Sequence, residues 1–268
     1  MILSIDIGIR TLALCVLNCT DPKDTLTYTI ELWKSYDTLE DDQHLCKGIQ
    51  KNGKICGKNC SYKYDLEEIE NYSCKTHFPK EIEIKPKHSY SKKKIKDYLL
   101  QDLAKAMIIT LNSIISENKE LMTKIDTVLI ELQPSFSPKM CFISHVLYGK
   151  LTEFFINQET SIKFIRASEK LKVYDGPELI CKLKGAYAKR KWESIQHAKY
   201  FLKNKFNEEQ CLLWSPFLLS GKVDDISDVL CYSMYHYCGK RPSIKNKATS
   251  KKTKIKFVRK KRSVKSLI

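Results

Sequence analysis

Residues 1–19 read MILSIDIGIRTLALCVLNC, and two strands are legible in them. In the first, Leu3, Ile5 and Ile7 fall on one face and Ser4, Asp6 and Gly8 on the other, the period of a strand with one greasy side. In the second, Thr11–Asn18 (TLALCVLN) is a nearly continuous apolar run, as in a strand buried on both faces. Asp6 therefore sits within apolar sequence, where a carboxylate is costly to bury without a cation or hydrogen-bond donors. Gly8 follows at once, and its missing side chain allows a ligand or backbone to approach closely.

The pattern extends outward from this pair. Pro22 marks a turn within Asp21–Asp24, and Leu26, Tyr28, Ile30 and Leu32 alternate as a third strand. A helix is predicted from about Ser91 to Ser116, with Ile95, Leu99, Leu103 and Ala106 at helical spacing. Thr127–Gln133 is a fourth strand. A loop with Pro134 and Pro138 leads into a helix whose stripe is Ile143, Leu147, Leu151, Phe154 and Phe155. Ser161–Ala167 is a fifth strand, and Lys170–Gly185 is irregular. Ala186–Asn204 is a basic helix burying Ile195, Ala198 and Leu202, and a last helix runs from near Asp224 to Gly239. Early strands joined by tight turns meander, while strands joined through helices are expected to be parallel. The fold class is therefore α/β: a mixed five-stranded sheet flanked by helices.

Residues 34–90 break the periodicity and read as an inserted Cys/His module, which leaves 1–33 and 91–239 as the main domain. Residues 240–268 hold 10 Lys, 3 Arg and no acid, against a net charge of +16 for the whole chain. The tail thus makes a nearly neutral body basic, as a polyanion-binding arm or a targeting segment would. At 43% hydrophobic and 29% charged, the 268 residues can bury a core. No apolar run reaches membrane-spanning length, and the N-terminus enters a strand without a basic signal region. The expected location is intracellular, cytoplasmic (a viral factory) or nuclear, and not secreted. Eleven cysteines then read as metal ligands and buried thiols rather than disulfides.

Four carboxylates recur at element ends: Asp6, Glu131 in TVLIELQP, and Asp225 and Asp228 in GKVDDISDVL. Glu131 ends its strand on the face opposite Val128 and Ile130. Asp225 and Asp228, three apart, share a helix face, whereas Asp224 lies ~100° around from Asp225. Clustered carboxylates suit one or two Mg²⁺ ions and phosphodiester chemistry. The alternatives are a helix cap for Asp224 and Asp225, and a surface charge for Asp228.

The blocks SIDIGIRTLALCVL, VLIELQ and KVDDISDVL resemble the RuvC-like Holliday-junction resolvases of the RNase H-like superfamily, most of all the poxvirus branch and its fungal mitochondrial relatives. The resemblance covers about residues 1–33 and 91–238. It implies that Asp6, Glu131, Asp225 and Asp228 are catalytic and bind Mg²⁺ or Mn²⁺. It also implies a homodimer that nicks opposed strands of a four-way DNA junction and leaves 5′-phosphate and 3′-hydroxyl ends. The insertion and the basic tail depart from the compact resolvases. Two rivals stay open: a nuclease of flaps or RNA–DNA hybrids, and a non-catalytic nucleic-acid-binding scaffold. An actin-like kinase is excluded, because the chain has no second Asp-x-Gly loop.

Cys46, Cys56, Cys60, Cys74 and His77 fall within 32 residues, and Cys74-x2-His77 is a chelate spacing for zinc. The run KGIQKNGKICGKNC…YSCKTHF resembles small Cys3His fingers of large-DNA-virus proteins. That resemblance makes Cys46, Cys56, Cys74 and His77 the ligands of one structural Zn²⁺. Cys60, at Cys56-x3-Cys60, competes for one place. Lys189, Arg190 and Lys191 beside Trp192, together with Lys222, are the candidate DNA-binding residues, positioning phosphates without reading bases. The alternative for the first three is a solvated helix face. Phe136, between two prolines, is either a wedge against bases or a core residue. His145 and His197 read as packed or surface residues.

Overall fold

The structure is a computed structural model and describes residues 1–21, 27–39, 44–66, 68–91, 94–219 and 223–239. The turn at Pro22, the candidate Lys222 and the basic tail 240–268 lie outside the described residues. Five strands form the main sheet: β1 (Ile2–Ile7), β2 (Thr11–Cys19), β3 (Tyr28–Asp37), β6 (Thr127–Glu131) and β7 (Ser161–Ile165). Their order is β3-β2-β1-β6-β7. The first three strands meander antiparallel, and β6 and β7 add in parallel. The mixed five-stranded sheet expected from the sequence is thus the one observed.

Alternation along β1 decides what covers each face. Leu3, Ile5 and Ile7 pack with Leu12, Leu14, Val128 and Ile130 under helices α1 (Leu100–Glu117) and α3 (Pro138–Phe154). Each such side chain, removed from water, stabilises the fold by roughly 1.5–3 kcal/mol. The opposite face is not open to solvent. Helices α4 (Ala186–Asn204) and α6 (Val223–Cys238) cover it with Ala198, Phe201, Val229 and Leu230. Ser4 is fully buried there and accepts a hydrogen bond from Ser233 of α6 at 2.8 Å. The polar residues of β1 thus face a helix that carries polar partners.

Some details differ from the sequence reading, and strands β6 and β7 end at Glu131 and Ile165, two residues early. Strand β3 continues to Asp37, because Lys34, Ser35 and Tyr36 pair with β2 at an edge whose outer face is exposed. Arg10 pins its end through Asp37 at 2.8 Å and the Leu39 carbonyl at 3.0 Å. Helix α1 begins at Leu100, not near Ser91. The Lys139 ammonium instead binds the carbonyls of Ile95, Lys96 and Tyr98 at 2.8–3.1 Å, holding that segment out of the helix. On α4 the buried stripe is Ser194, His197, Ala198, Phe201 and Leu202, while Ile195 is only half-buried.

Inside the insertion a hairpin forms from β4 (Tyr62–Leu66) and β5 (Ile69–Ser73). Its core is a small cluster of Cys46, Cys60 and Cys74, separate from the two clusters of the main sheet. The short helices α2 (Lys119–Met122) and α5 (Glu208–Trp214) complete the elements.

Candidate active site

The parallel register of β1 and β6 pairs Ile5 with Ile130. One residue further on stand Asp6 and Glu131, at adjacent strand ends. Helix α6 crosses the same end and adds Asp228. Oxygen atoms of Asp6, Glu131 and Asp228 lie within 4.8 Å of one another. The tight turn after β1 depends on Gly8, whose N–H donates to the Thr11 carbonyl at 2.6 Å. A Cβ at Gly8 would stand 2.6 Å from Thr11 Oγ1 and 2.9 Å from its carbonyl oxygen. That turn delivers Thr11, whose hydroxyl donates to Asp225 at 3.1 Å. Asp225 lines the same cleft but stands outside the compact trio. Asp224 faces away and pairs with Lys191.

Three residues that the sequence reading left aside hold the trio in place. Lys170, on a 3-10 turn after β7, bonds Asp228 and lies 3.6 Å from Glu131. Ser194 of α4 donates to the second oxygen of Asp228. The Tyr232 hydroxyl, one helical turn past Asp228, donates to Glu131. Burial raises the Asp6 carboxyl well above its ordinary range, and the charges of Glu131 and Asp228 raise it further. Burial also raises Asp228, against the opposing pull of Lys170. Burial alone would weaken the Lys170 ammonium, but Asp228 and Glu131 outweigh it and hold the charge on. Three converging acids with one ammonium among them are short of positive charge. Such a donor set of hard oxygens fits a divalent cation.

An open cleft of about 570 Å³ holds the trio and is lined further by Leu132, Pro134, Phe136, Lys170, Tyr187, Arg190 and Lys191. Of the candidate DNA-binding residues, Arg190 and Lys191 line this cleft. Lys189 does not; it lies 3.8 Å from Glu193 on the outer face of α4. Phe136 is 86% exposed, so the core-packing alternative is not the observed one.

His145 is exposed, and His197 is packed in α4 with its ring stacked on Tyr174 at 4.2 Å. Burial lowers the His197 pKa from 6.5 to about 4. The unfolded chain therefore takes up this proton first. The stability that neutral His197 contributes is present above about pH 6.5 and is lost as pH falls toward 4. Urea titrations at several pH values should show the loss in the native chain. His197→Phe should flatten it by on the order of 1–2 kcal/mol after solvent screening.

The second constellation is in the insertion. Cys46 Sγ and Cys74 Sγ each lie 3.4 Å from His77 Nδ1, and Cys56 Sγ lies 3.8 Å from Cys74 Sγ. Bonds of ~2.3 Å to sulfur and ~2.0 Å to nitrogen in a tetrahedron give ligand–ligand edges of roughly 3.5–3.8 Å. The cluster therefore has the dimensions of a zinc site. His77 Nε2 lies 3.1 Å from the Ile49 carbonyl, which as acceptor fixes the tautomer and leaves Nδ1 for a metal. Burial would raise the Cys74 thiol, but hydrogen bonds, that from the His77 backbone foremost, outweigh it and hold the pKa at about 6. Cys60 packs beside these residues without joining the four.

A sheet ordered β3-β2-β1-β6-β7 with acids on β1, β6 and the last helix settles the architecture. It is a mixed five-stranded sheet flanked by helices, with the acids gathered at one end. No protein-family model matches the chain. A curated relative, an uncharacterized protein of Acanthamoeba polyphaga mimivirus, is 28% identical over 220 residues, 76% of this chain. The chain spans about half the length of that relative, 51%. Among solved structures, the chain is similar to the Fowlpox virus resolvase, solved with substrate Holliday junction DNA. That match is 16% identical, covers 88% of this chain and 95% of the other, and has a TM-score of 0.40. It is also similar to Thermus thermophilus RuvC (10% identical, 89% and 96% covered, TM-score 0.41). The yeast mitochondrial Holliday junction resolvase is 12% identical, with 89% and 78% covered and a TM-score of 0.44. No helix among the described residues is long and apolar enough to cross a membrane.

Proposed function

We propose that the chain is a Mg²⁺-dependent, structure-selective DNA endonuclease that resolves four-way junctions by paired nicks, acting as a homodimer inside the cell. The observation that carries this reading is the convergence of Asp6, Glu131 and Asp228 at the floor of a cleft rimmed by Lys170, Arg190 and Lys191. The junction as substrate follows from the resemblance of the three acidic blocks to resolvases. The insertion holds one structural Zn²⁺ on Cys46, Cys56, Cys74 and His77.

In this mechanism Asp6, Glu131 and Asp228 hold the cation, with Asp225 at the edge of the site. When bound there, Mg²⁺ supplies Lewis-acid stabilisation of the phosphate and activates water. Tyr232 and Ser194 fix the carboxylates of Glu131 and Asp228, so little reorganisation is needed as charge develops. Lys170 places an ammonium where a phosphate oxygen gathers negative charge. Arg190 and Lys191 hold flanking phosphates without reading bases. Phe136 offers an exposed ring on which an unstacked base can rest, as branch points present.

Lys170→Met should separate two roles. The single-turnover rate should fall ~10²-fold or more, the scale of removing one electrostatic interaction with the transition state. Divalent-ion affinity should rise, because Lys170 competes for the same carboxylates. Unchanged rate and affinity would remove Lys170 from the site.

The reading is tested by incubating the protein with a synthetic four-way junction, a flap and an RNA–DNA hybrid, with and without Mg²⁺. Symmetric paired nicks in the junction, seen only with Mg²⁺, are expected. Preferential cutting of flaps or hybrids would reassign the substrate. No cutting of any of the three would favour a binding scaffold.

A further inference from the structure

We propose that the hairpin Leu45–Asn59 of the Cys3His module is a second DNA-binding surface, gripping phosphates of the duplex arms apart from the acidic cleft. Backbone bonds define it. The Cys46 N–H donates to Lys58, the Cys56 N–H to Gly48 and the Gln50 N–H to Lys54, each at 2.8 Å, with bridges Leu45–Asn59 and Ile49–Ile55. The inner side faces the metal-type cluster. Gly48 admits the His77 ring so closely that a Cβ there would lie 2.4 Å from it. Both turn glycines, Gly53 (φ 79°) and Gly57 (φ 65°), adopt the left-handed backbone that favours glycine.

The hairpin carries Lys47, Lys51, Lys54 and Lys58, all exposed, in a stretch without a single acid, and Lys51 and Lys58 border a hollow shared with Cys56 and His77. None of the four is in an ion pair among the described residues. Elsewhere in the module lysines alternate with acids: Lys63 pairs with Glu70 at 3.4 Å and Lys85 with Glu83 at 3.6 Å, while Lys75, Lys80 and Lys87 are in no ion pair among the described residues. A merely solvated surface has no need to concentrate unpaired lysines on one hairpin. Even three thiolates on a Zn²⁺ would cancel only one of the four charges. The Ile49–Ile55 cross-strand pair is 70% and 69% exposed among these lysines, an apolar ridge that sugars or base edges can cover. Dense positive charge with a narrow apolar ridge matches a polyanion of regular charge spacing, the DNA backbone, and phosphate binding of this kind is sequence-independent.

The inference rests on DNA being the ligand of the chain, but not on cleavage. The test is binding of the full chain to a linear duplex and to a four-way junction in Mg²⁺-free buffer across a salt series. Wild type is compared with K47Q/K51Q/K54Q/K58Q, with zinc content measured on both. The log–log salt slope of the variant should become shallower by roughly 0.9 for each phosphate no longer neutralised, for about two to four phosphates, with zinc retained. If the quadruple variant loses zinc, K51Q/K54Q at the hairpin tip decides, with a slope change of roughly 0.9 to 1.8. An unchanged slope in a zinc-loaded variant overturns the proposal and points to an acidic protein partner or plain solvation. A wild-type chain that binds but never cleaves, with the slope change present, leaves this inference standing and removes the nuclease reading.

Discussion

Asp6→Asn, Glu131→Gln and Asp228→Asn should each lower single-turnover junction cleavage by at least ~10²-fold while leaving junction binding nearly intact. The three carboxylates converge within 4.8 Å, so neutralising any one removes a ligand and a charge that the other two cannot replace. Binding should persist, because Arg190 and Lys191 at the rim are untouched and a less acidic floor repels phosphate less. Asp225→Asn should be milder than Asp228→Asn, since the Asp225 carboxylate stands outside the trio and bonds Thr11. Asp224→Asn should be milder still for chemistry, because Asp224 stands outside the trio and pairs with Lys191. Quantifying nicked strands under enzyme excess checks the series. Equal activity in all five variants would contradict the assigned site.

Cys74→Ser and His77→Ala should abolish metal retention and unfold the insertion while the main sheet survives. The sulfur and nitrogen atoms of the cluster lie within 4.8 Å of one another, close enough to be the corners of one tetrahedron, and metal binding supplies folding free energy that so small a thiol core cannot. In zinc-finger peptides that free energy is about 10–16 kcal/mol. The sheet has its own two apolar clusters and does not depend on this one. Elemental analysis should give about one zinc per native chain and none in these two variants, with full occupancy in Cys60→Ser. Limited proteolysis should then cut within 44–91 and spare the rest. Zinc lost from Cys60→Ser but kept in Cys74→Ser would show that the ligand set is wrong.

The acids of β1 and β6 were legible because strand alternation fixes the face on which a side chain stands, and adjacent parallel strands bring equivalent ends together. Asp228 was legible as part of a pair at helical spacing, but spacing alone could not rank it above Asp225. Their inequality lies in their partners, since Thr11 meets one acid while Lys170 and Ser194 meet the other. Lys170 lies in a segment without periodicity, and Ser194 is 34 residues from its partner. The signal for both was indirect: buried acids require a cation and donors. Tyr232 stood at i+4 from Asp228, a position that also reads as ordinary core. In the insertion the β4–β5 hairpin was not visible, because its two five-residue strands are largely exposed or half-buried and carry Lys63, Asp65, Glu70 and Asn71 among their apolar residues. Strand β3 was cut short for a related reason, since Lys34, Ser35 and Asp37 are polar on an exposed edge.

The nuclease reading requires acids from β1, β6 and α6 to form one divalent-cation site. Binding of Mn²⁺ to the purified, zinc-loaded full chain, followed by electron paramagnetic resonance, tests it most directly. Saturable binding by the native chain, competition by Mg²⁺, and its loss in both Asp6→Asn and Asp228→Asn are expected. Saturable binding that survives both substitutions would place the cation elsewhere and contradict the account.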